Sequence, residues 1–337
     1  MTRKKKIMIP IIVILFFAVA AGFFFLRGRV PKSKVLTENT GETMRTEADF
    51  PEGLTPIPSS YSRASSQPGT VERLDYDTYE SFTYEQKSQV LHKTAYVYLP
   101  YGYDESKQYN VFYMMHGGWC NETTIIGTDR SQTAFKTQLD NAIANGDIPP
   151  LIMVFPTYNN LSGDDSGDYS LAIKLTNNYH NELVNDLIPA VEGKYSTYAE
   201  STDSEGLAAS RDHRAFGGMS MGSVTTWRTF EYCLDYFRYF VPSSGALTTD
   251  GSYMDRIVKD SGHEWNDFYI IAATGTADFA GSEFQTMIEN MVKQDSFIYS
   301  DNEETGNITY RLKQGGRHYY TEQNEYIYNA LMWLWNH

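Results

Sequence analysis

Arg214-Ala215-Phe216-Gly217-Gly218-Met219-Ser220-Met221-Gly222-Ser223 is the stretch whose reading decides the fold of this chain. Its first half is short and mostly apolar, as a buried strand is, and Ser223 to Leu234 reads as a helix. Between the two, a serine stands in Gly218-Met219-Ser220-Met221-Gly222. A tight strand-to-helix turn needs small residues on both sides, so that backbones can approach, and it lifts the serine hydroxyl clear of the sheet edge. The following helix aims its positive end at the same place. A buried serine in a glycine-rich turn would look the same taken alone, so the partners decide.

A serine hydroxyl is a weak nucleophile near neutral pH unless a base takes its proton. Of the 7 histidines, His337 is terminal, and His92 and His180 fall on strand and helix surface patterns. His213 lies at the wrong end of the serine's strand, and His263 sits in a polar loop. His116 belongs to Met114-Met115-His116-Gly117-Gly118-Trp119. His318, in Gly315-Gly316-Arg317-His318, follows the last strand pattern and precedes the last helix pattern, and is the expected base. The acid that orients it should end a strand between serine and histidine. Asp278 does so, after Tyr269–Ala273 and Thr274-Gly275-Thr276-Ala277, with helix capping as its other reading. Acyl transfer also needs donors for the developing oxyanion, worth roughly 3 kcal/mol each. Met221 N–H and the Gly118/Trp119 amides are the candidates. No cofactor and no metal is required.

Working outward, short apolar runs alternate with amphipathic ones. Strands are expected at Thr94–Leu99, Val111–Met115, Leu151–Phe155, Ala215–Met219, Phe237–Pro242, Tyr269–Thr274 and Ile308–Lys313. Helices are expected at Arg130–Asn145, Tyr179–Lys194, Ser223–Leu234, Gly281–Gln294 and Tyr326–Trp335. This alternation specifies an α/β fold, a doubly wound, mostly parallel sheet with helices on both faces. Functional groups then gather at the carboxyl ends of its strands.

Ahead of this domain, assigned to residues 71–337, a basic tail (1–6) precedes an uncharged run from Ile7 to Leu26, about the length that crosses a bilayer. It reads as an N-terminal transmembrane helix, with a cleaved signal segment as the alternative because Ala18-Val19-Ala20 resembles a cleavage site. Residues 27–70, rich in Pro, Ser, Thr and Gly, read as a flexible linker. The expected location is extracytoplasmic and membrane-anchored. The net charge of −14 argues against a nucleic-acid partner, which would need a basic face. Cys120 and Cys233 fall at the site rim and at a helix end, too far apart for a bridge. Of the aromatic residues, Trp119, Tyr158 and Trp227 are candidates for lining the pocket or for the core.

The succession Tyr98-Leu99-Pro100-Tyr101-Gly102-Tyr103, His116-Gly117-Gly118, Asp212-His213-Arg214-Ala215, Gly218-Met219-Ser220-Met221-Gly222, Gly275-Thr276-Ala277-Asp278 and Gly315-Gly316-Arg317-His318 closely resembles the feruloyl and acetyl-xylan esterases of the first carbohydrate esterase family. It spans residues 85 to 335 in the family's motif order. The resemblance implies an α/β-hydrolase that cleaves acyl esters from plant cell-wall polysaccharide, with the triad on Ser220, Asp278 and His318. Siderophore esterases, acyltransferases of the same fold and a non-catalytic binding module remain alternatives. Ser223, Tyr319 and an insertion at Thr202–Ser210 depart from the family's usual pattern.

Overall fold

A computed structural model describes residues 49–336. Eight strands form one sheet: β1 (Thr70–Tyr79), β2 (Val90–Leu99), β3 (Val111–Met115), β4 (Ile152–Phe155), β5 (Arg214–Met219), β6 (Tyr239–Ser243), β7 (Tyr269–Gly275) and β8 (Ile308–Lys313). Their spatial order is β1-β2-β4-β3-β5-β6-β7-β8. The first two strands run antiparallel to each other and β2 runs antiparallel to β4, while every pairing from β4 to β8 is parallel. The mostly parallel α/β sheet expected from the sequence is therefore present, with an antiparallel edge.

The parallel strands are apolar on both faces because both are covered. Phe112, Met114, Ala215, Val241 and Ile271 join one core with Phe135 and Leu139 of α1 (Ala134–Ala144) and the last helix. Tyr113, Phe216 and Phe240, one residue out of phase, pack with Phe237 and Phe230 on the other face. That period of 2 is what a pleated strand imposes. The second face carries α2 (Tyr169–Glu182), followed after a wide turn by α3 (Ile188–Glu192), α4 (Ser204–Ala209), α5 (Met221–Tyr232), α6 (Gly251–Ser261) and α7 (Gly281–Met291). The last helix, α8, spans Tyr320–Trp333.

Several boundaries differ from expectation for local reasons. Helix α2 begins earlier, at Tyr169, because Asp168 caps it, accepting from the amides of Ser170 and Leu171 at 2.9 and 3.1 Å. Strand β1 and helices α4 and α6 were not expected. The linker reading fails from residue 49 onward, where the chain is packed on the domain. Phe50 is buried against Trp333, and the guanidinium of Arg311 donates to the carbonyls of Phe50 and Pro51. Among the described residues no helix is long and apolar enough to cross a membrane, and the run from Ile7 to Leu26 lies outside them, as does the first half of the expected linker.

Candidate active site

Strand β5 delivers Ser220 at its carboxyl end, and α5 begins at the next residue. Ser220 has φ +60° and ψ −122°, a conformation that costs an L residue energy and persists only where the surroundings enforce it. The enforcement is close packing. A Cβ at Gly222 would lie 2.4 Å from the carbonyl oxygen of Met115, so β3 and the start of α5 can approach only because Gly222 has none. Gly245 is held as tightly against the Ser220 carbonyl.

Two parallel strands further on, β7 ends just before Asp278, and β8 ends just before the loop that carries His318. Nδ1 of His318 lies 2.8 and 3.0 Å from the two carboxylate oxygens of Asp278. Burial alone would raise the Asp278 pKa. Hydrogen bonds from His318 and the Ala280 amide, with help from the Ser244 hydroxyl, outweigh it and hold the carboxyl below its usual range. An ionised carboxylate here fixes Nδ1 as the protonated nitrogen and leaves Nε2 as the working one. The glycine loop ties these pieces to Ser220. The position a Cβ would take at Gly117 is 3.5 Å from Cβ of Ser220 and 3.4 Å from the hydroxyl of Tyr320, two residues beyond His318.

The loop after β3 is held from several sides. His116, fully buried, bonds through Nε2 to the Thr157 hydroxyl and through Nδ1 to the Gly117 carbonyl, and burial lowers its pKa to about 4. Tyr158 donates to the same carbonyl. The amide of Gly117 donates to the Tyr320 hydroxyl at 3.1 Å, and that hydroxyl donates in turn to Sγ of Cys120. The amide of Trp119 donates to the Ser166 carbonyl at 2.9 Å. That corrects one expectation: Trp119 N–H is spent within the loop and is not a donor for an oxyanion. The amide of Gly118 finds no acceptor among the described residues, and it lies beside Met221, whose Cγ would sit 3.6 Å from a Cβ at Gly118. The Met221 amide, first of its helix, has no intrahelical acceptor either.

The remaining candidates separate cleanly. Trp227 and Tyr158 are core residues, whereas Trp119 is 75% exposed. His263 pairs with Asp235 and Asp267, and His213 stacks on Tyr198, both away from the serine. Both cysteines are free. Tyr320, Ser166 and Ser244 act at the site without a sequence signal of their own, since their roles depend on loops meeting across the fold.

The sheet order, the turn at Ser220 and the Asp278–His318 pair together define an α/β-hydrolase. The family model described as "Putative esterase" matches residues 92–271, and the chain belongs to that family. Over 287 residues it is 38% identical to endo-1,4-beta-xylanase Y of Acetivibrio thermocellus, covering 83% of this chain and 24% of that one. It is 26% identical over 194 residues to the endo-1,4-beta-xylanase/feruloyl esterase of Xylanibacter ruminicola, covering 56% of this chain and 23% of that one. The chain thus spans about a quarter of the length of these curated relatives. A mutant feruloyl esterase module from Clostridium thermocellum, complexed with sinapinate, superposes with a TM-score of 0.74 at 35% identity, covering 87% of this chain and 97% of the module. A ferulic acid esterase from the fungus Anaeromyces mucronatus shares the fold, with a TM-score of 0.60 at 18% identity, covering 82% of this chain and 94% of that one.

Proposed function

We propose that this chain is a serine carboxylesterase that hydrolyses feruloyl or acetyl esters on plant cell-wall xylan. The observation that carries the reading is the hydrogen-bonded Asp278–His318 pair at the sheet edge where Ser220 is held in its left-handed turn. Ser220 Oγ attacks the ester carbonyl as Nε2 of His318 takes its proton, and Asp278 stabilises the imidazolium that results. The amides of Met221 and Gly118 receive the oxyanion. Collapse of the tetrahedral intermediate expels the sugar alcohol, which takes the proton from His318, and water repeats the sequence in reverse order on the acyl-serine. Likeness to the feruloyl esterase module supports feruloyl as the acyl group.

The same proposal places the enzyme outside the cytoplasm, held to a membrane by residues 7–26, for which the support is the uncharged apolar run behind a basic tail. Full-length chain found in the membrane fraction, and released by protease added from outside, is the expected result. Soluble chain beginning after residue 20 would establish cleavage instead.

The test of the activity is a panel of methyl ferulate, acetylated xylan and a catecholate ester, run on the wild type and on Ser220→Ala. Turnover of the first two, abolished in the variant together with labelling by a fluorophosphonate probe, is expected. A variant with full activity overturns the assignment.

A further inference from the structure

The mechanism above seats the carbonyl but leaves open where the alcohol half of the ester rests. We propose that the exposed ring of Phe279, against His318, is the platform for the sugar that leaves, so that it sets a preference for glycosyl over simple alkyl esters; this rests on the esterase reading just given. The oxygen of the leaving alcohol has to come within about 2.6–3.2 Å of Nε2 of His318 to be protonated. Whatever flanks that imidazole and faces solvent is therefore the first surface the alcohol half meets. The acyl half and the carbonyl oxygen project from the same carbon in other directions, the latter toward Met221 and Gly118.

Phe279 meets that description. Its ring centroid is 4.2 Å from that of His318, with the planes inclined at 41°. The residue is 81% exposed, more than any other large apolar side chain among the described residues, and Tyr319 is 58% exposed. The backbone on both sides of Phe279 is tied down. The Ala280 amide donates to the Asp278 carboxylate at 2.8 Å, the Gly281 amide to the Asp278 carbonyl at 3.1 Å, and the Ala277 amide to the Gly316 carbonyl at 2.9 Å. An apolar ring left in water against the His318 imidazole gains free energy only when something covers it. The C–H face of a pentose is flat, apolar and of matching size, and its hydroxyls stay in solvent at the rim. A ring that only shielded the histidine from water would act alike on every ester, and this difference makes the platform testable.

The experiment compares kcat/KM in two matched pairs, methyl ferulate against a feruloylated arabinoxylo-oligosaccharide, and ethyl acetate against an acetylated xylo-oligosaccharide. Wild type, Phe279→Ala, Phe279→Leu and Phe279→Trp are measured, the exposed position making loss of the fold avoidable. The sugar-to-alkyl ratio is expected to fall about tenfold in the Ala and Leu variants and to be kept by Trp. An unchanged ratio in Phe279→Ala, or equal losses on both members of each pair, overturns the platform. Wild-type turnover of the acetyl pair alone would remove the feruloyl reading while the acetyl ratio still judged Phe279. Absence of turnover on all four esters would remove the esterase reading, and the platform with it.

Discussion

At the scale of single residues, the contact on which the proposed mechanism leans most directly is the one between Asp278 and Nδ1 of His318. Replacing Asp278 by Asn keeps an acceptor for the Ala280 amide but presents Nδ1 with no ionised partner. A kcat loss of roughly 10³–10⁴-fold is expected, with KM and thermal stability near those of the wild type, as steady-state kinetics and a melting curve will show. His116 is legible in the sequence only as part of a glycine loop; its state is set by burial. With a folded pKa of about 4 against 6.5 in the open chain, the native protein binds fewer protons than the unfolded one between those values. Its contribution is present above pH 6.5 and is lost as pH falls toward 4, about 3 kcal/mol in all. Urea unfolding at pH 7 and pH 4 is expected to show a steeper acid loss for the wild type than for His116→Gln. The placement of Ser220, Asp278 and His318 beyond the carboxyl ends of β5, β7 and β8 is legible because each follows a strand pattern in a small-residue loop. The engagement of Trp119 N–H was not, because its acceptor, Ser166, comes from a distant loop.

Elements hold those residues in register, and the start of β5 is the critical one because the serine stands at its other end. There the guanidinium of Arg214 lies fully buried, donating through Nε and a terminal nitrogen to the two carboxylate oxygens of Glu192 in α3 at 2.6 and 2.9 Å. It also donates to the carbonyls of Leu207 and Tyr236 and to the Ser210 hydroxyl. The segment Thr202–Ser210, which departs from the family's pattern, thus forms α4 and helps close this end of the strand. Removing one partner leaves a buried charge alone. Glu192→Ala is expected to cost about 3–5 kcal/mol in chemical unfolding, and the double change Arg214→Met with Glu192→Leu to cost clearly less than Glu192→Ala. The interior strands were legible because apolar runs of four to six residues have no other home in a domain of this size. Strand β1 was not, since Glu72 and Arg73 interrupt its alternation before Leu74, Tyr76 and Thr78 resume it at a sheet edge.

Across the described molecule, the stretch of residues 49–69, ahead of β1, reads as linker by composition and behaves as part of the body. Pro, Ser and Gly dominate it, and its few anchors, Phe50, Thr55 and Tyr61, are too widely spaced to give a periodic signal. Each nevertheless meets a partner from the far end of the chain or from α1's flank. Phe50 lies edge-on to Trp333, Thr55 exchanges hydrogen bonds with Asn329, and the Tyr61 hydroxyl donates to Asp147, which pushes its pKa up to about 12 along with burial, the larger cause. A soluble fragment cut at residue 71, where composition alone would place the boundary, discards these contacts. Phe50 alone contributes about 1.5–3 kcal/mol of burial. Arg311, almost wholly buried, loses two carbonyl acceptors, worth about 1–3 kcal/mol more. A fragment starting at residue 49 is therefore expected to melt about 10 °C above one starting at 71, with calorimetry as the check. Equal melting temperatures would mean that the segment rides on the domain without stabilising it. The contacts named fall on Trp333, Asn329, Asp147 and Arg311 and not on Ser220, Asp278 or His318, so the shorter fragment is expected to retain its kcat on a methyl ester at temperatures where it remains folded, separating the stabilising role of residues 49–70 from the chemistry.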